Sequence, residues 1–177
     1  TKIEPGEYLT FPVTFKYVGT NVSNTVLNSM LNFRFREVPI IELSNEGETY
    51  TLEDIIAGHE EEYEFTVSNY NQDNTNGVPM TYSFITTLTE GSPLVAKIYD
   101  ENGTEVTGSI NMPGDKNNQE DHTYTLKLTW DSSLTNSEYD EQSYTCQVKL
   151  VATPDDTDYA EYKIEKQFSV NITTGKS

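Results

Sequence analysis

His59 and His122 are the only histidines in the chain, so chemistry that needs an imidazole has two places to start. The string His59-Glu60-Glu61-Glu62-Tyr63 opens like the zinc-protease signature, in which two histidines four residues apart share one helix face and hold the metal. Tyr63 stands where the second histidine is required, and Tyr63, Phe65 and Val67 alternate with Glu62, Glu64 and Thr66 as in a strand. A strand offers no such helix face, so the motif is rejected. Nucleophilic catalysis needs a base beside the nucleophile. The many serines and threonines fall on the wet faces of strands, where solvation and β propensity account for them. Carboxylates are so numerous that glycosidase-like pairs among them carry no information. No catalytic or cofactor-binding residue emerges, and the chain is not expected to be an enzyme.

Hard-oxygen ligation is the remaining chemistry. Asp100, Glu101 and Asn102 form one loop cluster, and Asp155, Asp156 and Asp158 another. Calcium is the ion such donors suit. Neither cluster has EF-hand spacing, and Asn71-Gln72-Asp73-Asn74-Thr75-Asn76-Gly77 puts its glycine one place too late. The competing reading of both clusters is a solvated acidic turn. Cys146, the only cysteine, shares phase with Tyr144, Val148 and Leu150, which makes it an inert core thiol. Trp130 shares phase with Leu126 and Leu128, so it reads as core and not as a sugar-stacking platform.

The elements that carry these residues alternate with period two. Leu9, Phe11, Val13, Phe15 and Tyr17 lie on one side of the first such segment. Met80, Tyr82 and Phe84 define another, then Leu94, Ala96 and Ile98. The cleanest sets Tyr124, Leu126, Leu128 and Trp130 against Thr123, Thr125, Lys127 and Thr129. The last runs Tyr162, Ile164, Phe168, Val170, Ile172. One wet face per strand is the signature of antiparallel sheets, and two such sheets bury their dry faces on each other. The expected fold is an all-β antiparallel two-sheet sandwich, jelly-roll or Ig-like, with at most short helical turns. Asn102-Gly103 between Ile98-Tyr99 and Val106 is a two-residue hairpin signal. Residues 69–77, 114–121 and 154–158 read as loops or turns. Thr51 to Gly58 reads as one or two helical turns with Thr51 as N-cap and Gly58 as terminator, and Ser23 to Leu31 as another turn. The segment around Ile3-Glu4-Pro5-Gly6-Glu7 and Phe11-Val13-Phe15 is echoed by Ile56-Ala57-Gly58-His59-Glu60 and Phe65-Val67. The first copy is too short to be a sandwich alone, so residues 1–177 are expected to form one domain with region 1–45 integrated into it.

Charge narrows the partners. Against 11 Lys+Arg stand 29 Asp+Glu, a formal net charge of −18. Such a field repels nucleic acid and anionic lipid. Any self-association must be driven by backbone pairing or apolar contact, or helped by salt. No apolar run has transmembrane length, and no signal segment stands at Thr1-Lys2-Ile3, which suggests a mature or trimmed form. A single cysteine rules out an intramolecular disulfide and suits the cytosol as well as a Gram-positive cell surface.

Glu62-Tyr63-Glu64-Phe65-Thr66-Val67-Ser68-Asn69-Tyr70, Met80-Thr81-Tyr82-Ser83-Phe84, Tyr124 to Trp130 and Cys146-Gln147-Val148-Lys149-Leu150 give residues 55–172 a layout that resembles TasA/camelysin-type surface proteins of Firmicutes. The resemblance implies export, a jelly-roll-like sandwich and a role in biofilm-matrix or surface fibres, where an N-terminal strand completes a neighbour's sheet. The family's N-terminal region is not evident here, and the zinc motif of a protease is missing. The expected function is therefore a secreted or cell-surface structural protein that self-associates by strand addition. The alternative is a non-catalytic binding module for a glycan or host ligand, suggested by the tyrosines and long polar loops.

Overall fold

The computed structural model describes residues 38–72 and 74–176. They belong to one compact unit, Arg36–Ser177. Of region 1–45, the described part joins this unit: Ile41 and Leu43 are buried in its core. The alternating segment Leu9 to Tyr17, the turn expected at Ser23 to Leu31 and the first copy of the echo lie outside the described residues.

The described residues form nine strands in order: β1 (Glu42–Leu43), β2 (Thr49–Ile55), β3 (Glu60–Ser68), β4 (Met80–Leu88), β5 (Leu94–Asp100), β6 (Ile110–Met112), β7 (Asp121–Trp130), β8 (Ser143–Pro154) and β9 (Ile164–Thr174). The first sheet has the order β1-β3-β7-β5 and the second β2-β9-β8-β4-β6. The helical content of the described residues is two 3-10 turns, Ser137–Tyr139 and Thr157–Tyr159. The expected all-β sandwich is what the chain builds. Its second sheet is mixed and not purely antiparallel, because β2 runs parallel to β9.

Period two explains the packing. On β7, Tyr124, Leu126, Leu128 and Trp130 are buried while their alternates stay wetter. β8 does the same with Cys146, Val148, Leu150 and Ala152, and β9 with Phe168, Val170 and Ile172. Phe65 lies 5.2 Å from Phe168 and 5.4 Å from Phe84, ring centre to ring centre, so aromatic edges knit the two sheets. Burial of Phe65 and of Phe168, both almost wholly covered, stabilises the fold by about 2–3 kcal/mol each. Lys166 fastens one margin, reaching Glu42 and Glu46 at 2.6 Å each. Burial pulls its ammonium pKa down, but the two carboxylates outweigh that, and the net shift is upward.

Thr51 to Gly58 is not helical. Thr49–Ile55 is a strand, with Tyr50 and Leu52 packed on the core. Tyr50 sits 4.9 Å from the Tyr63 ring and 6.3 Å from Phe168, so tertiary packing overrides the local cap-and-stop signal. Gly58 closes a turn instead: its φ is +91°, and its N–H donates to the Trp130 carbonyl.

Two of the expected loops are not merely surface. Asn69 and Asn76 are fully buried. Asn69 accepts from the Glu120 N–H and donates to the Asn118 carbonyl. Asn76 accepts from the Ile40 and Val78 N–H groups and donates to the Val78 carbonyl. These amides stand in for ladder bonds that an irregular backbone cannot make. Gly114 presses against the Val78-Pro79 backbone so closely that no Cβ fits, which locks the 69–79 and 111–121 segments together.

Candidate functional site

The residues that suggested chemistry are scattered. Asp100 uses one carboxylate oxygen to accept from the Asn102 and Thr104 N–H groups, shaping the Asn102-Gly103 hairpin turn. A hairpin forms there, but its loop has three residues, 101–103, and not the two expected: the Asp100 N–H donates to the Thr104 carbonyl, Gly103 sits at φ +74° and Val106 donates to the Ile98 carbonyl. Asp156 caps Asp158 N–H, and Asp155 accepts from the Thr81 hydroxyl. Both acidic clusters thus work as turn-formers. Among the described residues no three or more histidine, cysteine or acidic side chains gather as a metal site.

His59 Nε2 is 3.4 Å from a Glu61 oxygen. His122 belongs to a longer chain of polar contacts. Its Nδ1 lies 2.6 Å from the Tyr82 hydroxyl, which lies 2.7 Å from the Tyr124 hydroxyl, and its Nε2 is 3.6 Å from Glu120. Burial, then the Tyr124 contact, pushes the Tyr82 phenol far up, so it stays protonated. A protonated Tyr82 and a Tyr124 likewise raised by burial tie the two sheets through one hydrogen-bonded row, since β4 and β7 lie in different sheets. Cys146 is fully buried, and burial pushes its thiol up to about 11. That is an inert thiol, as its phase implied.

The feature the residues do assemble is a sheet margin. β6 spans only Ile110–Met112 and pairs with Met80, Thr81 and Tyr82. Beyond Tyr82, β4 continues to Leu88 with β8 on one side, and among the described residues no strand pairs with its other side. β5 forms the edge of the opposite sheet. The Thr104–Val106 return covers the end of β5 through its bonds to Asp100 and Ile98, and among the described residues no strand but β7 pairs with Leu94–Lys97. The two open stretches adjoin at one crossover, residues 89–93.

This margin is apolar except for Lys97, which pairs with Glu105. No charged residue occurs from Met80 to Thr89. Phe84, Leu88 and Ala96 pack against the core yet stay only half-buried. Ile85 and Val95 are 52% and 50% exposed. Edge strands are ordinarily blunted by charge, proline or a bulge. β2, at the other margin of the second sheet, is blunted in that way: it carries Glu53 and Asp54, and its register with β9 shifts between Leu52 and Ile55. The β4 side of the β4/β5 margin lacks those devices, and on the open β5 stretch Lys97, paired with Glu105 at 2.8 Å, is the one charge. A strand entering there finds free backbone donors and acceptors and alternating apolar contacts on the inner side. Sequence reading missed this margin because nothing local marks it; it exists because Gly108 and Pro113 bracket a three-residue β6.

No protein-family model matches the chain, and no curated protein matches it. Among solved structures it is similar to the CooA pilin subunit of enterotoxigenic Escherichia coli, with TM-score 0.46 and 14% identity over 77% of this chain and 99% of that one. It is also similar to PapD-like domain 7 of human CEP192, with TM-score 0.43 and 10% identity over 88% of this chain and 99% of that one. A third likeness is to the CupB6 tip adhesin of Pseudomonas aeruginosa, with TM-score 0.44 and 10% identity over 80% of this chain and 44% of that one.

Proposed function

We propose that this chain is a secreted or cell-surface structural protein, a matrix or fibre subunit that assembles by strand addition, as in TasA/camelysin-type proteins. The observation that carries the reading is the half-open β4/β5 margin, uncharged from Met80 to Thr89 and bearing only Lys97 on its open β5 stretch, on a chain of net charge −18. Copies with that charge repel one another, so an assembly has to be held by backbone pairing and apolar burial, which this margin offers. The incoming strand is the segment Leu9-Thr10-Phe11-Pro12-Val13-Thr14-Phe15-Lys16-Tyr17 of another copy. Its five apolar residues share one phase and match the inward row left half-covered by Phe84, Leu88 and Ala96. Pro12 falls on the opposite phase, and proline is tolerated in a strand at a sheet edge.

Light scattering and electron microscopy of the full chain test this. The expected result is oligomers that grow with protein concentration and with screening salt, and that disappear in a Phe11→Asp/Phe15→Asp variant and in Thr87→Lys, which places a lysine on the open edge. A chain that stays monomeric at every concentration, salt and calcium level overturns the proposal. So do oligomers that persist in both variants.

A further inference from the structure

The outer face of the second sheet departs from the rest of this acidic molecule. Its cross-strand rows read Thr49, Ser169, Gln147, Thr87 and Thr51, Asn171, Thr145, with Ser143 beside Thr173. Further along the same face Lys149 and Glu165 pair with each other at 3.4 Å. The first sheet, by contrast, turns Glu60, Glu62 and Glu64 outward on β3, with Lys127 reaching only the first two.

A shallow groove of about 290 Å³ lies in the uncharged rows, with Thr51, Ser143, Thr145, Asn171 and Thr173 in its lining. The β2 bulge adjoins it. Asp54 sits at φ +54°, the β2–β9 register shifts between Leu52 and Ile55, and the Asp54 N–H donates to the Thr173 hydroxyl at 3.3 Å instead of to a ladder carbonyl. Bulges re-aim side chains and end regular pairing. The polar lining groups are hydroxyls and a carboxamide, each able to donate and to accept, and Tyr144 and Ile172 complete the lining. Asn171 accepts from the Thr145 hydroxyl at 3.3 Å through its oxygen, and its nitrogen has no protein acceptor among the described residues.

We propose that this groove binds a neutral polysaccharide. Groups that both donate and accept match the hydroxyls of a sugar ring, and an uncharged lining neither rewards nor needs an ionised ligand. The field of the whole chain turns anionic polymers away and leaves a neutral glycan untouched. The rows continue past the groove to Gln147 and Thr87, so an extended chain of sugars has further amide and hydroxyl groups to lie across. The groove itself is separate from the β4/β5 margin, which its rows reach only at Thr87, and it does not depend on strand addition.

The test is a titration of the isotope-labelled full chain with cellotetraose, chitotetraose, maltotetraose and laminaritetraose, followed by backbone amide shifts. Tetragalacturonate is the charged control. The expected result is a saturable response to at least one neutral sugar, centred on Thr51, Thr145, Asn171 and Thr173, with none to the control. Thr145→Val, which keeps β propensity, and Asn171→Asp, which keeps shape, each weaken that response about fivefold, the loss of one hydrogen bond, without moving the unfolding midpoint of the free protein. No response to any neutral sugar at about 10 mM, where a millimolar site is mostly filled, overturns the proposal. It is equally overturned if the same amides shift with protein concentration alone, because a second copy then covers the face.

Discussion

Replacing Asn76 by alanine tests whether the 69–79 segment is held by buried amide bonds. The Asn76 side chain is fully buried and makes three contacts with backbone groups, at 3.1 Å to Ile40 N–H, 3.2 Å to Val78 N–H and 2.6 Å to the Val78 carbonyl. Alanine leaves those groups unpaired where water has little access, since Val78 is itself 4% exposed. At about 1 kcal/mol for each lost bond, and more for a fully buried orphan, the expected loss is about 3 kcal/mol. For a domain whose total stability is about 5–15 kcal/mol, that is a large fraction. Urea unfolding followed by the fluorescence of the single Trp130, which is 5% exposed, reads it directly. With a denaturant slope of about 2 kcal/mol per molar, the midpoint falls by about 1.5 M with the slope unchanged. Asn74→Ala, in the same loop but exposed, stays within about 0.5 kcal/mol of the parent. A midpoint shift for Asn76→Ala no larger than that of Asn74→Ala refutes the reasoning.

Tyr82→Phe breaks the row that joins His122, Tyr82 and Tyr124 across the sheets; it should cost about 1–3 kcal/mol in the same urea assay, and an unchanged midpoint contradicts the role. Cys146 predicts a pH effect. Its buried thiol is raised from an ordinary 9.0 to about 11, so below pH 9 its contribution to stability is complete. As pH rises from 9 through 11 the unfolded chain loses a proton that the folded chain keeps, and stability falls. Cys146→Ala should lose less stability than the parent across that window, and parallel profiles for the two proteins contradict the assignment. A thiol reagent at pH 8 should label the parent only on unfolding.

How much the sequence disclosed depended on the range of the interaction. Tyr124 to Trp130 and Tyr144 to Leu150 announce their buried faces by simple alternation, because a pleated strand sorts neighbours to opposite sides. The Asn102-Gly103 turn was legible for a similar local reason. β2 was misread because Thr51, Leu52, Ile55 and Gly58 satisfy a short helix locally, while the contacts that make it a strand come from Ser169 to Thr174, far along the chain. The burial of Asn69 and Asn76 was hidden by composition, since asparagine in a Gly- and Asn-rich stretch reads as solvent-exposed turn. The open margin beside Phe84 was least legible of all. It follows from where β6 stops, and no residue of β4 records that its neighbour is short.

Hydrogen exchange of the full chain, compared between its monomeric and assembled forms, addresses assembly at the β4/β5 margin most directly. Strand addition predicts that amides in Ser83–Leu88 or Leu94–Lys97 slow on assembly, together with those of Leu9–Tyr17, while those of β2 do not change. Assemblies in which all three segments exchange as they do in the monomer contradict it.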